Sequence, residues 1–381
     1  MRQNSNVSSV GDLCTACTAC MVSCPTNAIS FKKSAMGVRV ASVDRDKCIN
    51  CGQCVKVCAQ CTETELNSSS AVYAAWAKSD EHKSISSSGA IAPVLYENVI
   101  SSGGTVFGAT WQDGNVVIRS ASAIEEIAAF CGSKYVESDV SLAIEKIKES
   151  IDRNREVLFI GLPCQVAAVK KLFKSDRLYT VDLICHGTPP REYFSEYLES
   201  LNIKNAKNVS FRGKDDFVLN VFNEEGEIEY SKAQYEEPYF KAFLDATIYK
   251  NCCYFCKYSR PERVSDITIG DFWGIDTESL TVKPNGKVSL VLINTDRGAQ
   301  LFDRVKERVV FEPRELKEAL LYNRQLSSPS RCDDERKKFE TNYKKGGFVF
   351  ALSKMSSTKQ IKNRNKFFTK VKNKIKTIFG R

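Results

Sequence analysis

Apolar runs and amphipathic stretches alternate through the middle of the chain. VLFIG at 157–161 is an unbroken apolar run, which predicts a strand buried on both faces. QVAAVKKLF at 165–173 has helical spacing, and LYTVDLIC at 178–185 predicts a further strand. DITIGDF (266–272) and SLVLINT (289–295) are strand-like. SAIEEIAAF (122–130), DVSLAIEKIKESIDR (139–153) and RGAQLFDRVKERV (297–309) predict helices. Strand–helix alternation of this kind implies α/β layers with sites at strand ends. TETELNSSS (62–70) is polar and reads as a linker. At the far end, residues 359–381 set Phe368, Val371, Ile375 and Phe379 at helical spacing among lysines. That pattern fits a basic amphipathic helix on an anionic membrane surface, or a solvated terminus.

The length of 381 residues is that of two or three domains. With 43% hydrophobic and 27% charged residues, wholesale disorder, collagen and coiled coil are excluded. The opening MRQNSNVSSVGDL has no apolar core of a secretory signal, and no run approaches the roughly 18 apolar residues of a membrane span. A cytoplasmic location is expected. The net charge is +9, but residues 341–381 hold twelve Lys or Arg and no Asp or Glu. The basic character belongs to the tail, which is therefore no reason to expect nucleic acid at the body.

Sixteen cysteines change the picture most. Without a secretory signal, such a count points to metal or redox chemistry rather than disulfides. Cys14, Cys17, Cys20 and Cys24, followed by Pro25, form one C-x2-C-x2-C-x3-C run; Cys48, Cys51, Cys54 and Cys58 form a second, 34 residues on. Three thiolates two residues apart let one loop hold three corners of an iron–sulfur cube, while the fourth cysteine serves the other cube. One [4Fe–4S] cluster is thus assigned to Cys14, Cys17, Cys20 and Cys58, and another to Cys48, Cys51, Cys54 and Cys24. Zinc, which pairs C-x2-C knuckles, fits the doubled run less well. Cys61 competes with Cys58, although spacing favours Cys58.

Seven cysteines lie outside this head. Cys164 (GLPCQ) and Cys185 (DLICHG) stand at strand ends, and Cys253 with Cys256 makes a C-x2-C knuckle. Together they form a candidate third tetrathiolate site, with iron–sulfur, zinc and unligated buried thiols all open. His186, in a Gly- and Thr-rich loop after a strand, is a candidate proton donor or a buried structural side chain. SISSSGA (84–90) and SSGGTVFGA (101–109) read as small-residue loops or as an anion cradle before a helix.

Residues 8–65 resemble a bacterial two-cluster ferredoxin. Over about residues 10–310, the ordered set SISSSGA, GGTVFGA, GSKYVES, VLFIGLPCQVAAVKKL, LYTVDLICHGTPP, FRGK (211–214) and CYFCKYSRPERVSDITIGDFWG (253–274) resembles the beta subunits of coenzyme F420 hydrogenase/dehydrogenase. The resemblance implies an α+β ferredoxin-like head (1–66), a flavin-binding region (67–150) and an α/β domain (151–330); the residues beyond it (331–381) read as a basic helical tail. It implies FAD, with Ser86, Ser88, Gly89, Gly103, Gly104, Ser133 and Lys134 as flavin contacts. Cys164, Cys185, Cys253 and Cys256 become the third cluster, and Arg263, Asp266, Asp271 and Trp273 line the same cavity, with His186, Arg263 and Asp271 as catalytic candidates. Ala90 departs from the family, which usually has a glycine there. The implied activity is an oxidoreductase passing electrons from a ferredoxin-type donor through clusters to FAD and a two-electron acceptor, with related bacterial proteins associated with surface polysaccharides. A coenzyme F420 oxidoreductase and a non-catalytic electron-carrier protein within a larger complex are the alternatives.

Overall fold

In the computed structural model, residues 6–213 and 217–361 are described. Lys214 of the FRGK motif and the tail positions Phe368, Val371, Ile375 and Phe379 lie outside them. The head holds two antiparallel strands, β1 (Ile29–Lys33) and β2 (Arg39–Val43), between two short helices, Ala19–Val22 and Gln53–Val57. The helices start just before Cys20 and Cys54, one in each cysteine run.

The body is built on β3 (Ala71–Ala77), β4 (Thr105–Gln112), β5 (Asn115–Ala121), β6 (Ser138–Asp139), β7 (Val157–Gly161) and β8 (Leu178–Leu183). A separate antiparallel sheet holds β9 (Asn208–Ser210), β10 (Val218–Phe222) and β11 (Ile228–Ala233), after which β12 (Ile267–Asp271), β13 (Ser289–Ile293) and β14 (Val309–Pro313) return to the main sheet. The main sheet runs β14-β3-β13-β12-β8-β7-β4-β5-β6. Its centre is parallel: β4 with β7, β7 with β8 and β8 with β12, in the register Gly161 opposite Asp182 and Val181 opposite Ile267. All five residues of β7 are buried, as its unbroken apolar run predicts. The expected boundary at residue 150 does not divide the sheet: β3–β6 hydrogen-bond into one sheet with β7, β8 and β12–β14.

Two expectations change. GGTVFGA is not a loop, because Val106 and Phe107 are fully buried in the central strand β4. Gly108 is needed there for packing, since a Cβ would collide with Tyr96 and Phe130. Nor is 331–361 a tail. The helix Asp334–Lys354, kinked at Gly346–Gly347, buries Phe339, Phe348, Ala351 and Leu352 in the aromatic core around Tyr193.

The head is locked to the body. The Tyr193 hydroxyl donates to the Met36 carbonyl (2.6 Å), and Met36, Val38 and Val40 join the body's core. Asp139 accepts from Arg39 of the head (2.8 Å) and Arg191 of the body (2.9 Å). The linker is pinned too, with Asn67 and Arg263 exchanging backbone hydrogen bonds of 2.8 Å.

Candidate functional site

The two head runs fold alike. Ala16 and Asn50 have φ of 56° and 55°, and Thr18 and Gly52 have 60° and 72°, so the 34-residue repeat of sequence is a repeat of left-handed backbone. Such turns wrap each loop around its own thiols; the Ala16 amide donates to Cys14 Sγ at 3.4 Å. One small cavity is lined by Cys14, Cys17, Cys20 and Cys58, and another by Cys24, Cys48, Cys51 and Cys54. The fourth cysteines are crossed, as expected, and Cys58 rather than the exposed Cys61 faces the first cavity.

Burial pushes the thiols of Cys14, Cys17, Cys20 and Cys58 up, and their ionised forms would also repel neighbouring cysteines. Cys54 is raised by burial, with Cys48 and Cys51 adding to it. Cys24 is the exception: against the cost of desolvation, the amides of Thr26 and Ala28 hold it below the usual thiol range. Four gathered thiols can ionise together only around a cationic centre. Among the described residues, no three His, Cys, Asp or Glu side chains converge on a single-ion position. The head sulfurs line two cavities, the arrangement that four thiolates around a polynuclear core would need.

The third set is assembled from distant segments. Cys164 follows β7 in the first turn of the helix Pro163–Leu172, Cys185 follows β8, and Cys253 and Cys256 lie at the short helix Asn251–Tyr254. Burial raises Cys164, Cys185 and Cys256, and each also feels the negative charge of others in the set. Cys253 is lowered because it accepts from the Cys252 thiol, with Lys250 and the Thr188 amide (3.4 Å) assisting. Cys20 and Cys54, one from each head set, share a core cluster; the short helices that carry them pack on the helix Pro163–Leu172, in whose first turn Cys164 lies; and Cys185 lines a cavity of about 500 Å³.

That cavity opens at the carboxyl ends of β7, β8 and β12, where open α/β sheets bind ligands. Its volume is that of a small-molecule or cofactor site. One wall carries Ser86, Ser88, Ser133, Lys134 and the N-terminal turn of the helix Ile91–Ser101. The Ser86 hydroxyl is buried beside the Cys131 thiol. Burial pulls the Lys134 amine down to about 8. A helix N-terminus, hydroxyls and an ammonium suit an anionic group, and Val116, Ile118, Ile160 and Ile269 supply an apolar wall. Ala90, at φ 63°, occupies the left-handed backbone that a glycine would adopt without strain.

Not every expected contact reaches the cavity. Gly103 and Gly104 lie at the opposite ends of the parallel strands, in the turn before β4, where a Cβ on Gly104 would strike Val99 and the Glu156 carbonyl. Gly89 lies against β3 and β13; its amide donates to Ser289 Oγ (2.9 Å), and a Cβ would collide with the Ala75 carbonyl. Arg263 is a scaffold residue. Its guanidinium is 2% exposed, pairs with Asp182 (2.8 Å) and donates to the carbonyls of Tyr258 (2.9 Å) and Arg260 (3.2 Å). Asp266 accepts from the Thr180 amide (2.8 Å) and the Thr295 hydroxyl (2.8 Å), away from the cavity.

His186, Asp271 and Trp273 do line the cavity. Asp271 is engaged by Arg212 at 2.6 Å. The Gln325 amide donates to His186 Nδ1 (2.9 Å), leaving the ring proton on Nε2. His186 stands at the mouth, where desolvation holds its imidazole below the usual range against the opposing pull of Asp271. The ring is therefore neutral at pH 7 and serves first as a hydrogen-bond donor. Sequence reasoning missed Arg212, Tyr135, Gln165 and Gln325; the first three lie inside the quoted motifs FRGK, GSKYVES and GLPCQ, and only Gln325 carried no signal.

Residues 154–319 match the family model for the C terminus of the coenzyme F420 hydrogenase/dehydrogenase beta subunit. Residues 13–60 match the 4Fe-4S dicluster domain. The later part of the body is thus similar to these beta subunits, and the head to a dicluster domain. It is 22% identical over 322 residues to a subunit of the F(420)H(2) dehydrogenase of Methanosarcina mazei, covering 78% of this chain and 84% of the relative. A structure of the F420-reducing [NiFe] hydrogenase complex from Methanosarcina barkeri, derivatised with xenon, superposes with a TM-score of 0.46 at 18% identity, covering 74% of this chain and 94% of that one. At the coarse level, this is an iron–sulfur electron-transfer protein related to oxidoreductase subunits. Among the described residues, no helix is long and apolar enough to cross a membrane.

Proposed function

We propose that the chain is an iron–sulfur flavoprotein oxidoreductase that takes single electrons from a ferredoxin-type donor and delivers two to an acceptor at the cavity. The observation that carries this reading is the packing of both head cysteine sets against the helix in whose first turn Cys164 lies, with Cys185 on the cavity wall. When bound, the clusters supply one-electron steps and FAD supplies the conversion between one- and two-electron chemistry. The twelve paired cysteines would hold three [4Fe–4S] clusters. Ser86, Ser88, Ser133 and Lys134 would hold the anionic part of FAD, with the helix N-terminus behind them. His186, oriented by Gln325, would hold a proton at Nε2 toward the acceptor, and the Arg212–Asp271 pair would fix the polar side of the mouth. Surface-polysaccharide assembly is the pathway proposed for it, and the basic tail the proposed membrane contact.

The family and the Methanosarcina mazei relative favour a second reading, in which the acceptor is coenzyme F420 itself. The test is anaerobic reduction of the purified chain by a reduced ferredoxin, followed by flavin absorbance. The expected result is stoichiometric bleaching that reverses on addition of the acceptor; F420 as the acceptor selects the second reading. A chain whose clusters are reduced while no flavin bleaches is an electron carrier only, which overturns both.

A further inference from the structure

A buried cation lies where the head meets the body. The Lys250 side chain is 4% exposed. Its ammonium donates to the carbonyl of Thr15 (2.9 Å), between Cys14 and Cys17, and pairs with Glu137 at 2.5 Å. Its backbone is bound on the body side: the Lys250 amide donates to the Thr188 carbonyl (2.9 Å), and its own carbonyl accepts from the Cys253 amide (3.0 Å). One ammonium therefore lies within electrostatic reach of Cys14 and Cys17 in the head and of Cys164 and Cys253 in the body. The second head set, Cys24, Cys48, Cys51 and Cys54, lines a separate cavity.

Burying a charged pair is costly unless its surroundings compensate. Here compensation on the acid side is incomplete, because the second oxygen of Glu137 is buried without a hydrogen-bond partner. Thiolate-held clusters at the two flanking sites would be net anionic and would attract the ammonium, adding to what Glu137 supplies. A fixed positive charge in a low-dielectric interior favours the form of a neighbouring centre that carries one more electron.

We propose that Lys250 is a positioning residue shared by the first head site and the body site, clamping the Cys14–Cys17 loop to the body and holding the reduction potentials of both sites up together. Glu137 opposes it and sets how much of that charge is felt. The inference rests on the iron–sulfur reading of both sites.

The test is a redox titration of the full-length, anaerobically loaded protein followed by electron paramagnetic resonance, comparing wild type with Lys250→Met and Glu137→Gln. With Lys250→Met, two of three cluster potentials are expected to fall while the third, at Cys24, Cys48, Cys51 and Cys54, stays in place. With Glu137→Gln, the same two are expected to rise. Opposite shifts cannot come from a merely structural role, and Glu137→Gln carries the test if Lys250→Met fails to load. Potentials that stay unchanged, or shift equally at all three clusters, overturn the proposal. A wild-type chain with no cluster signal at all overturns the iron–sulfur reading beneath it.

Discussion

The head and the body build their cysteine sites in opposite ways. In the head, each loop carries three candidate ligands within seven residues, and the left-handed turns at Ala16, Thr18, Asn50 and Gly52 are local solutions to wrapping a loop around its thiols. In the body, Cys164, Cys185 and the Cys253–Cys256 knuckle meet only because β7 and β8 pair in register and the chain returns at β12. A local site tolerates changes in the scaffold around it. A site assembled from three segments depends on every contact that holds those segments together.

Replacing single ligands should separate the two most sharply. Cys51→Ser is expected to lower iron by about four per chain and leave the flavin content unchanged, because the second head set is remote from the cavity. Cys253→Ser is expected to lose about four irons and flavin as well, since Cys185 of the same set lies on the cavity wall. Iron assay and flavin extraction check both; flavin retained in Cys253→Ser would break the link.

Arg263 tests the scaffold. Its partner Asp182 lies just before Cys185, and its carbonyl acceptors Tyr258 and Arg260 follow Cys256. Arg263→Met should destabilise the body by about 3–5 kcal/mol in urea unfolding, the cost of stranding a buried Asp182 charge. It should lose the third set's iron while the head keeps about eight.

Asp139 tests the joint. With Ser141, Arg39 and Arg191 outweighing the cost of burial, its carboxyl is held down to about 2 from an ordinary 3.8. A depressed carboxyl contributes stability above its unfolded value, so about 2 kcal/mol should be present above about pH 4 and lost as pH falls toward 2. Asp139→Asn should remove that amount at pH 7 and flatten the acid limb of the unfolding profile.

The smallest expected effect is at Lys134. Its amine titrates near 8 in the free protein, so attraction for an anionic cofactor is complete below that pH and weakens above it. FAD affinity should fall as pH rises through 8. Lys134→Met should bind about tenfold more weakly at pH 7, equivalent to about 1.4 kcal/mol, with the pH dependence gone. Equilibrium titration by fluorescence measures both.

The same contrast explains what the sequence revealed. β7 was legible to the residue because all five of its side chains are buried, and the crossed grouping of the head cysteines was legible in their spacing. Gly89, Gly103 and Gly104 misled because a small residue looks alike whether it admits a phosphate or a neighbouring strand; only packing distinguishes them. Arg263 and Asp266 hold the scaffold, although Asp271 and Trp273 of the same motif line the cavity. Gln325 reaches His186 across 139 positions, and no local pattern marks such a contact. Helix Asp334–Lys354 was hidden by the basic composition beyond it, although its Phe339 and Phe348 are core residues.

The most direct measurement is the stoichiometry of iron, acid-labile sulfide and extractable FAD in chain purified and reconstituted without oxygen. About twelve irons, about twelve sulfides and about one FAD per chain are expected from three four-iron sites beside a flavin cavity. About eight irons and sulfides, with zinc or free thiols at Cys164, Cys185, Cys253 and Cys256 and no FAD, would contradict it.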